Sequence, residues 1–260
     1  MMFDRGEGPP VVVVPGLQGR WEWAKPALVE LARSCRAISY SLSGDIGSGQ
    51  KMRSERRFDD YVRQLDAILD RAGLTRAVIC GVSFGGFVAV RYAAQHPSRV
   101  SGLILASAPG PGWQPSPQQA EWISKPWWST PAFVATSPLR VWPEVSAALP
   151  ELGARASFLA RQGLRCLAAP MIPSLMASRV KCVAGIDFES DCRHVQAPTL
   201  IVTGEEPLDR VVPVRSTRRY TNLIRRADYR VVARTGHMAI LTQPSAFAAL
   251  VSEFAHANDQ

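Results

Sequence analysis

Three short stretches carry the residues best able to do chemistry. The first is Gly81-Val82-Ser83-Phe84-Gly85-Gly86, which sets a serine between an apolar β-rich run, 77–82, and a helical pattern, 84–95. A serine at such a strand-to-helix turn projects from the carboxyl end of a sheet, with the first amides of the helix beside it. Glycines at 81 and 85 suit that turn, because a side chain at either would meet neighbouring backbone. The competing reading is a plain connecting turn. A hydroxyl is a poor nucleophile until a base takes its proton. Of the four histidines, His96 precedes Pro97 and reads as a helix end, His194 sits in a polar stretch, and His256 belongs to the tail. His237, in Thr235-Gly236-His237, directly follows an apolar run and so falls on the sheet edge where Ser83 emerges. An imidazole acting as base needs a carboxylate to fix its tautomer. The loop from Gly204 to Pro213 offers Glu205, Glu206 and Asp209, and spacing alone does not choose among them.

The elements that must position these groups alternate between apolar strands and amphipathic helices, the pattern of a parallel sheet covered on both faces. Strands are expected over 11–14, 36–42, 77–82, 100–106, 199–203 and 229–233, and helices over 27–33, 58–72, 84–95, 214–224 and 245–256. Phe58, Tyr61, Val62, Leu65, Ile68 and Leu69 recur at helical spacing. The segment 109–185 breaks the alternation. It is rich in proline and holds five of the seven tryptophans, so it reads as an insertion over one edge of a single α/β domain.

Composition narrows the function classes. At 260 residues, 47% hydrophobic and 20% charged, the chain is an ordinary globular one with room for a large core. No apolar run nears the roughly 20 residues of a membrane helix, and no signal peptide opens the chain. Five scattered cysteines fit a reducing compartment, and a cytoplasmic protein is expected. The net charge of +8 invites a nucleic-acid reading, but the arginines are spread along the chain and mixed with acids, so no nucleic-acid partner is expected. Cys182, Cys192 and His194 lack the spacing and the fourth ligand of a zinc site, and no glycine-rich phosphate loop occurs. No metal and no cofactor are expected.

Taken in order, the Pro15-Gly16-Leu17 loop, the Ser83 turn, the helical insertion, the 198–204 strand, the acid loop and Gly236-His237 resemble the α/β-hydrolase fold superfamily, in its small esterase-like group with a helical lid. The resemblance covers nearly the whole chain. It implies an α/β fold with a mostly parallel sheet flanked by helices, a core of residues 1–108 and 186–260, and a cap over 109–185. It implies Ser83 as nucleophile, His237 as base and Asp209 as triad acid, since Pro213 follows four residues on as it commonly does there; Glu206 is the main rival. It also implies that the backbone amides of Leu17 and Phe84 hold the oxyanion. The sequence departs from the pattern in three places. Pro15-Gly16 stands where His-Gly is usual, and the acid loop is two residues longer. Only ten residues precede Val11, so the N-terminal hairpin is expected to be missing or a stub. The strand around 38–42 would then be an exposed edge, for which a homodimer is the expected cover.

These features lead to a cofactor-free serine hydrolase acting on a small-molecule carboxylic ester through an acyl-enzyme. Thioesters, carrier-linked esters, lactones and a carbon–carbon bond β to a ketone lie within reach of the same triad. A hydrolase-like protein that binds a ligand with little turnover is the alternative from another class. Trp113, Trp127, Trp128 and Trp142 are candidates to line an apolar substrate pocket, with the packing of a small helical cap as the equal alternative. The cap carries seven basic residues against three acids (Glu121, Glu144 and Glu151), read as a solvated helix face rather than a guide for acidic substrates.

Overall fold

The computed structural model describes residues 2–49 and 58–259. Its seven strands are β1 (Met2–Arg5), β2 (Pro10–Val14), β3 (Arg36–Tyr40), β4 (Ala77–Val82), β5 (Val100–Ala106), β6 (Thr199–Thr203) and β7 (Ala227–Val231). They form one sheet in the order β1-β3-β2-β4-β5-β6-β7. Every neighbouring pair is parallel except β1 with β3. The central strands read as continuous apolar runs because helices cover both faces. Val12, Val14, Ile79, Leu103 and Leu105 point to one face. There they meet α2 (Asp59–Arg71), α3 (Phe84–Gln95) and α8 (Phe188–His194) through Leu65, Leu69, Val88, Tyr92 and Phe188. Val11, Val13, Val78, Cys80 and Ile104 point to the other, against α1 (Lys25–Leu31), α11 (Ala239–Thr242) and α12 (Pro244–Ala257) through Leu28, Leu31, Ile240, Phe247 and Val251. The two-residue alternation of β2 thus serves two cores at once. Cys80 is a buried filler whose thiol burial pushes up to about 12.

Three expectations need correction. The N-terminus is not bare: Met2–Arg5 pairs with β3 in antiparallel register, from Met2 opposite Tyr40 to Arg5 opposite Ala37. The β3 edge is therefore covered by the chain itself, and Arg36 clamps it by donating to both oxygens of Asp4 at 3.0 and 2.8 Å. The edge strand on this side is thus β1, not β3, and β3 gives no argument for a homodimer. The last strand starts two residues earlier than expected, because register with β6 fixes Ala227 opposite Thr199 while the strand exposes Asp228 and Arg230 at the far edge. The expected helix 214–224 divides at Arg219 into α9 (Val214–Arg218) and α10 (Tyr220–Leu223). There the hydroxyls of Thr217 and Tyr220 turn inward to the carbonyls of Ala108 and Pro109 at 2.8 and 2.7 Å.

Between β5 and α8 the chain forms α4 (Pro117–Ser124), α5 (Pro126–Ala148), α6 (Leu152–Ala168) and α7 (Pro173–Cys182). Helix α5 runs for 23 residues with Pro131, Pro138 and Pro143 inside it. Proline removes a ladder hydrogen bond, and hydroxyls of Thr130 and Ser137 bind carbonyls one turn back, at 2.6 Å each. The segment is fastened to the sheet domain by buried and part-buried polar contacts. Trp23 Nε1 donates to Ala169 O at 3.1 Å, Arg179 pairs with Asp45, and Glu144 reaches the loop after β7. No helix among the described residues is long and apolar enough to cross a membrane.

Candidate active site

Ser83 stands between β4 and α3 with φ +51° and ψ −121°, a strained conformation for a residue with a side chain. Its neighbours make that turn obligatory. A Cβ on Gly81 would lie 2.5 Å from Gly85 O and 2.6 Å from Gly86 Cα, and one on Gly85 would lie 2.4 Å from Val14 O. No side chain fits at either position, as the sequence implied. The strain is held by Ser83 N donating to Ala106 O and Gly86 N donating to Ser83 O, both at 2.8 Å.

His237 reaches the serine from the loop after β7, 154 residues away in the chain. Its Nε2 is 3.1 Å from Ser83 Oγ, and its Nδ1 is 3.3 Å from Asp209 Oδ2. Asp209 is the member of the acid loop that faces the ring; Glu206 is exposed, and Glu205 accepts the amide of Arg234 at 2.7 Å. The other oxygen of Asp209 accepts the amides of Val211 and Val212 at 3.0 and 2.9 Å. An ionised carboxylate on one side fixes the Nδ1 proton, which leaves Nε2 as acceptor for the serine hydroxyl. The two loops interlock: a Cβ on Gly236 would lie 2.4 Å from Leu208 O, and one on Gly204 2.3 Å from Thr235 O.

Electrostatics agree with this arrangement. Burial opposes the charged forms of both partners, yet their mutual charge and hydrogen bonding win. The carboxyl of Asp209 is held below its ordinary 3.8, and the imidazole of His237 is raised above 6.5, with the charge of Glu144 adding to the latter.

The Pro15-Gly16-Leu17 loop abuts the serine, since a Cβ on Gly16 would lie 3.4 Å from Ser83 Cβ. Phe84 opens α3 and is buried. Leu17 is held by its carbonyl, which accepts Arg179 Nη1 at 2.9 Å. Arg179 and Asp45 are both fully buried and form an ion pair beneath this loop. Gly19, at φ +79°, lies against that pair so closely that a Cβ would overlap both side chains.

The four tryptophans differ in their surroundings. Trp113 is half-buried and packs against the core that contains α2, α3 and α8, while Trp127, Trp128 and Trp142 are 63%, 88% and 45% exposed. Two features went unseen in the sequence. The Arg179–Asp45 pair joins residues 134 apart. Glu144, taken for a solvated charge, is 2% exposed and binds the histidine loop. Only its place in a tryptophan- and proline-rich segment hinted that it was not on an ordinary polar face.

The alpha/beta hydrolase fold family model matches residues 9–244. The 2-hydroxy-6-oxo-2,4-heptadienoate hydrolase of Pseudomonas putida F1 is 31% identical, over 99% of this chain and 93% of its own. The 2-hydroxymuconate semialdehyde hydrolase of Pseudomonas sp. CF600 is 29% identical, over 97% and 89%. Among solved structures, a meta-cleavage product hydrolase from Pseudomonas fluorescens IP01 superposes with a TM-score of 0.71 at 26% identity, covering 99% of this chain and 94% of that one. With its seven-stranded sheet and a match of this length, the chain belongs to the α/β-hydrolase fold family and is a hydrolase of that family.

Proposed function

We propose that this hydrolase works without a cofactor and attacks a carbonyl carbon with Ser83. His237 accepts the serine proton and Asp209 orients the ring and balances the imidazolium. The amides of Leu17 and Phe84 bind the oxyanion of the tetrahedral adduct. The observation that carries the reading is the unbroken hydrogen-bond chain Ser83–His237–Asp209, built by three separate loops.

The full-length relatives favour a carbon–carbon bond beside an aldehyde or ketone carbonyl, in an acid of the hydroxy-oxo-dienoate class, over the carboxylic ester. Such a molecule carries no ester linkage. The dienol first passes to its 2-oxo tautomer: the 2-hydroxyl gives up its proton and C5 gains one, which makes C5 tetrahedral. The serine oxygen, its proton taken by His237, then bonds to the C6 carbonyl carbon and the C5–C6 bond breaks. The electron pair passes through the enone to the C2 oxygen, which takes the proton from His237. Water then frees the acyl group by the reverse proton path. An ester fits the attack and release steps with an alkoxide as leaving group.

A fluorophosphonate probe is expected to label the wild type and not Ser83→Ala; equal labelling of both rejects the nucleophile. Turnover of a 2-hydroxy-6-oxo-dienoate, followed by loss of its absorbance, is expected to exceed that of a p-nitrophenyl ester by about 100-fold in kcat/KM, equivalent to about 2.7 kcal/mol. The opposite ranking would return the substrate to the ester class.

The pH dependence follows from His237. Only the neutral imidazole can accept the proton, and its folded value is raised, so the acidic limb of kcat/KM is expected to lie above 6.5. The same interaction stabilises the fold below the unfolded imidazole value and fades as pH rises through the folded one. For Asp209, held low, the contribution is present above 3.8 and fades as pH falls through the folded value. A limb centred below 6.5 would contradict the assignment of His237 as base.

A further inference from the structure

Helix α5 is tied to the loop that carries His237 by more contacts than packing needs. Glu144, on its last turns, is buried, and its Oε1 accepts Thr235 Oγ1 and the amide of Met238, both at 2.7 Å. Those donors flank His237 on either side. Thr242, on α11, approaches the same oxygen at 3.5 Å. In return, the loop closes the end of the helix. Arg234, at φ +59°, donates Nε to Ala147 O at 3.1 Å and Nη2 to Ala148 O at 3.5 Å, and Gln243 donates to Ala148 O at 3.4 Å. These are carbonyls that a helix C-terminus leaves without partners. An arginine held in the left-handed region for this purpose is a costly arrangement, and the surrounding contacts must over-determine it.

We propose that Glu144 is a positioning residue for His237: a carboxylate supplied by the helical insertion that fixes the loop carrying the base and places a second negative charge behind the imidazole. This rests on the reading of His237 as base. Glu144 touches neither Ser83 nor the site of attack, so its action passes through the loop.

The charged groups around the ring are Asp209, from the loop after β6, and Glu144, from α5; the serine side is neutral. Facing Glu144 are the ring of His237 and the neutral donors Thr235, Gly236 N and Met238 N. The guanidinium of Arg234 is engaged by helix carbonyls, and Glu205 takes its amide. Burial raises the carboxyl of Glu144, and those hydrogen bonds and the charge of His237 oppose the rise. Fixed protein dipoles thus face the carboxyl, and its charge is among the causes that raise His237. Without that charge, the imidazolium loses one of its two stabilising partners and its pKa must fall.

The test compares the pH profile of fluorophosphonate labelling of Ser83 in the full-length wild type and in Glu144→Gln. Glutamine keeps an acceptor for Thr235 and removes the charge. The midpoint of the acidic limb is expected to move to lower pH, and the plateau rate to fall by about tenfold as the base loses its fixed position. A strut without electrostatic action would lower the plateau and leave the midpoint in place, and that result overturns the proposal. If Glu144→Gln does not fold, Glu144→Asp retains the charge and withdraws it from Thr235 and Met238. A reduced plateau with an unmoved midpoint is then expected, and a wild-type plateau overturns the proposal. Failure of the wild type itself to be labelled at any pH would instead remove the nucleophile reading and this one with it.

Discussion

Replacing Ser83 by alanine is expected to lower kcat/KM by at least about 10⁴-fold while leaving the fold intact, because every later step depends on the bond this oxygen makes. The loss will not be complete, since the oxyanion amides and substrate binding survive. Asp209→Asn is expected to fall almost as far, by about 10⁴-fold, because an amide can hold His237 in the wrong tautomer. Glu206→Gln is expected to stay within about twofold, its side chain being exposed and away from the ring. Steady-state rates for these three variants rank the acid loop directly. A large loss in Glu206→Gln with little in Asp209→Asn would reverse the geometry described here.

The second large effect is on stability. Arg179→Met is expected to cost about 3–5 kcal/mol, read as a shift in the denaturation midpoint, because it strands the Asp45 carboxylate in a site buried from solvent. Both side chains are wholly buried, and among the described residues Asp45 Oδ1 and Arg179 Nε have no side-chain or backbone partner. Burial raises the carboxyl of Asp45, and the guanidinium works against that rise. Removing both charges, in Arg179→Met with Asp45→Leu, is expected to recover most of the stability, as buried ion pairs often give way to apolar residues without loss. Activity is not expected to return with it, because Leu17 O would still lack the donor that holds its loop against Ser83. Recovery of both stability and rate would mean the pair has no part in holding that loop.

The elbow was legible because its signals are local. A strand of β-branched residues, glycines at fixed offsets and a helix with buried alanines and valines all fall within 20 residues. The places of the serine and of the acid loop were legible for the same reason: each lies just beyond a run apolar enough to be a buried strand, β4 and β6. What escaped was decided at long range. Met2–Arg5 carries two charges in four residues, and only its pairing with β3 makes it a strand. The boundaries of β7 follow from register with β6, since an edge strand with an exposed face has no apolar run to mark it. Glu144 finds its partners 91 and 94 residues on, and a carboxylate in a helical segment looks solvated until those partners are known. The tryptophans stayed ambiguous because aromatic richness marks a non-polar segment without saying which way each ring turns.

The helical segment departs from β5 and rejoins the fold before β6, and those two strands are hydrogen-bonded neighbours. Because β5 and β6 are parallel, the chain has to cross back from the carboxyl end of one to the amino end of the other, and α8 precedes β6 on that return. The segment is thus an insertion within a single crossover, an exchangeable cassette: a different set of helices could be spliced in ahead of α8 without disturbing strand order. Such a graft would carry away the carboxylate beneath the histidine loop, so chimaeras made by simple exchange should inherit a new substrate preference only together with a slackened base. Transplanting the last three turns of α5 with its host loop, as one inseparable unit, is the cut that respects this dependency.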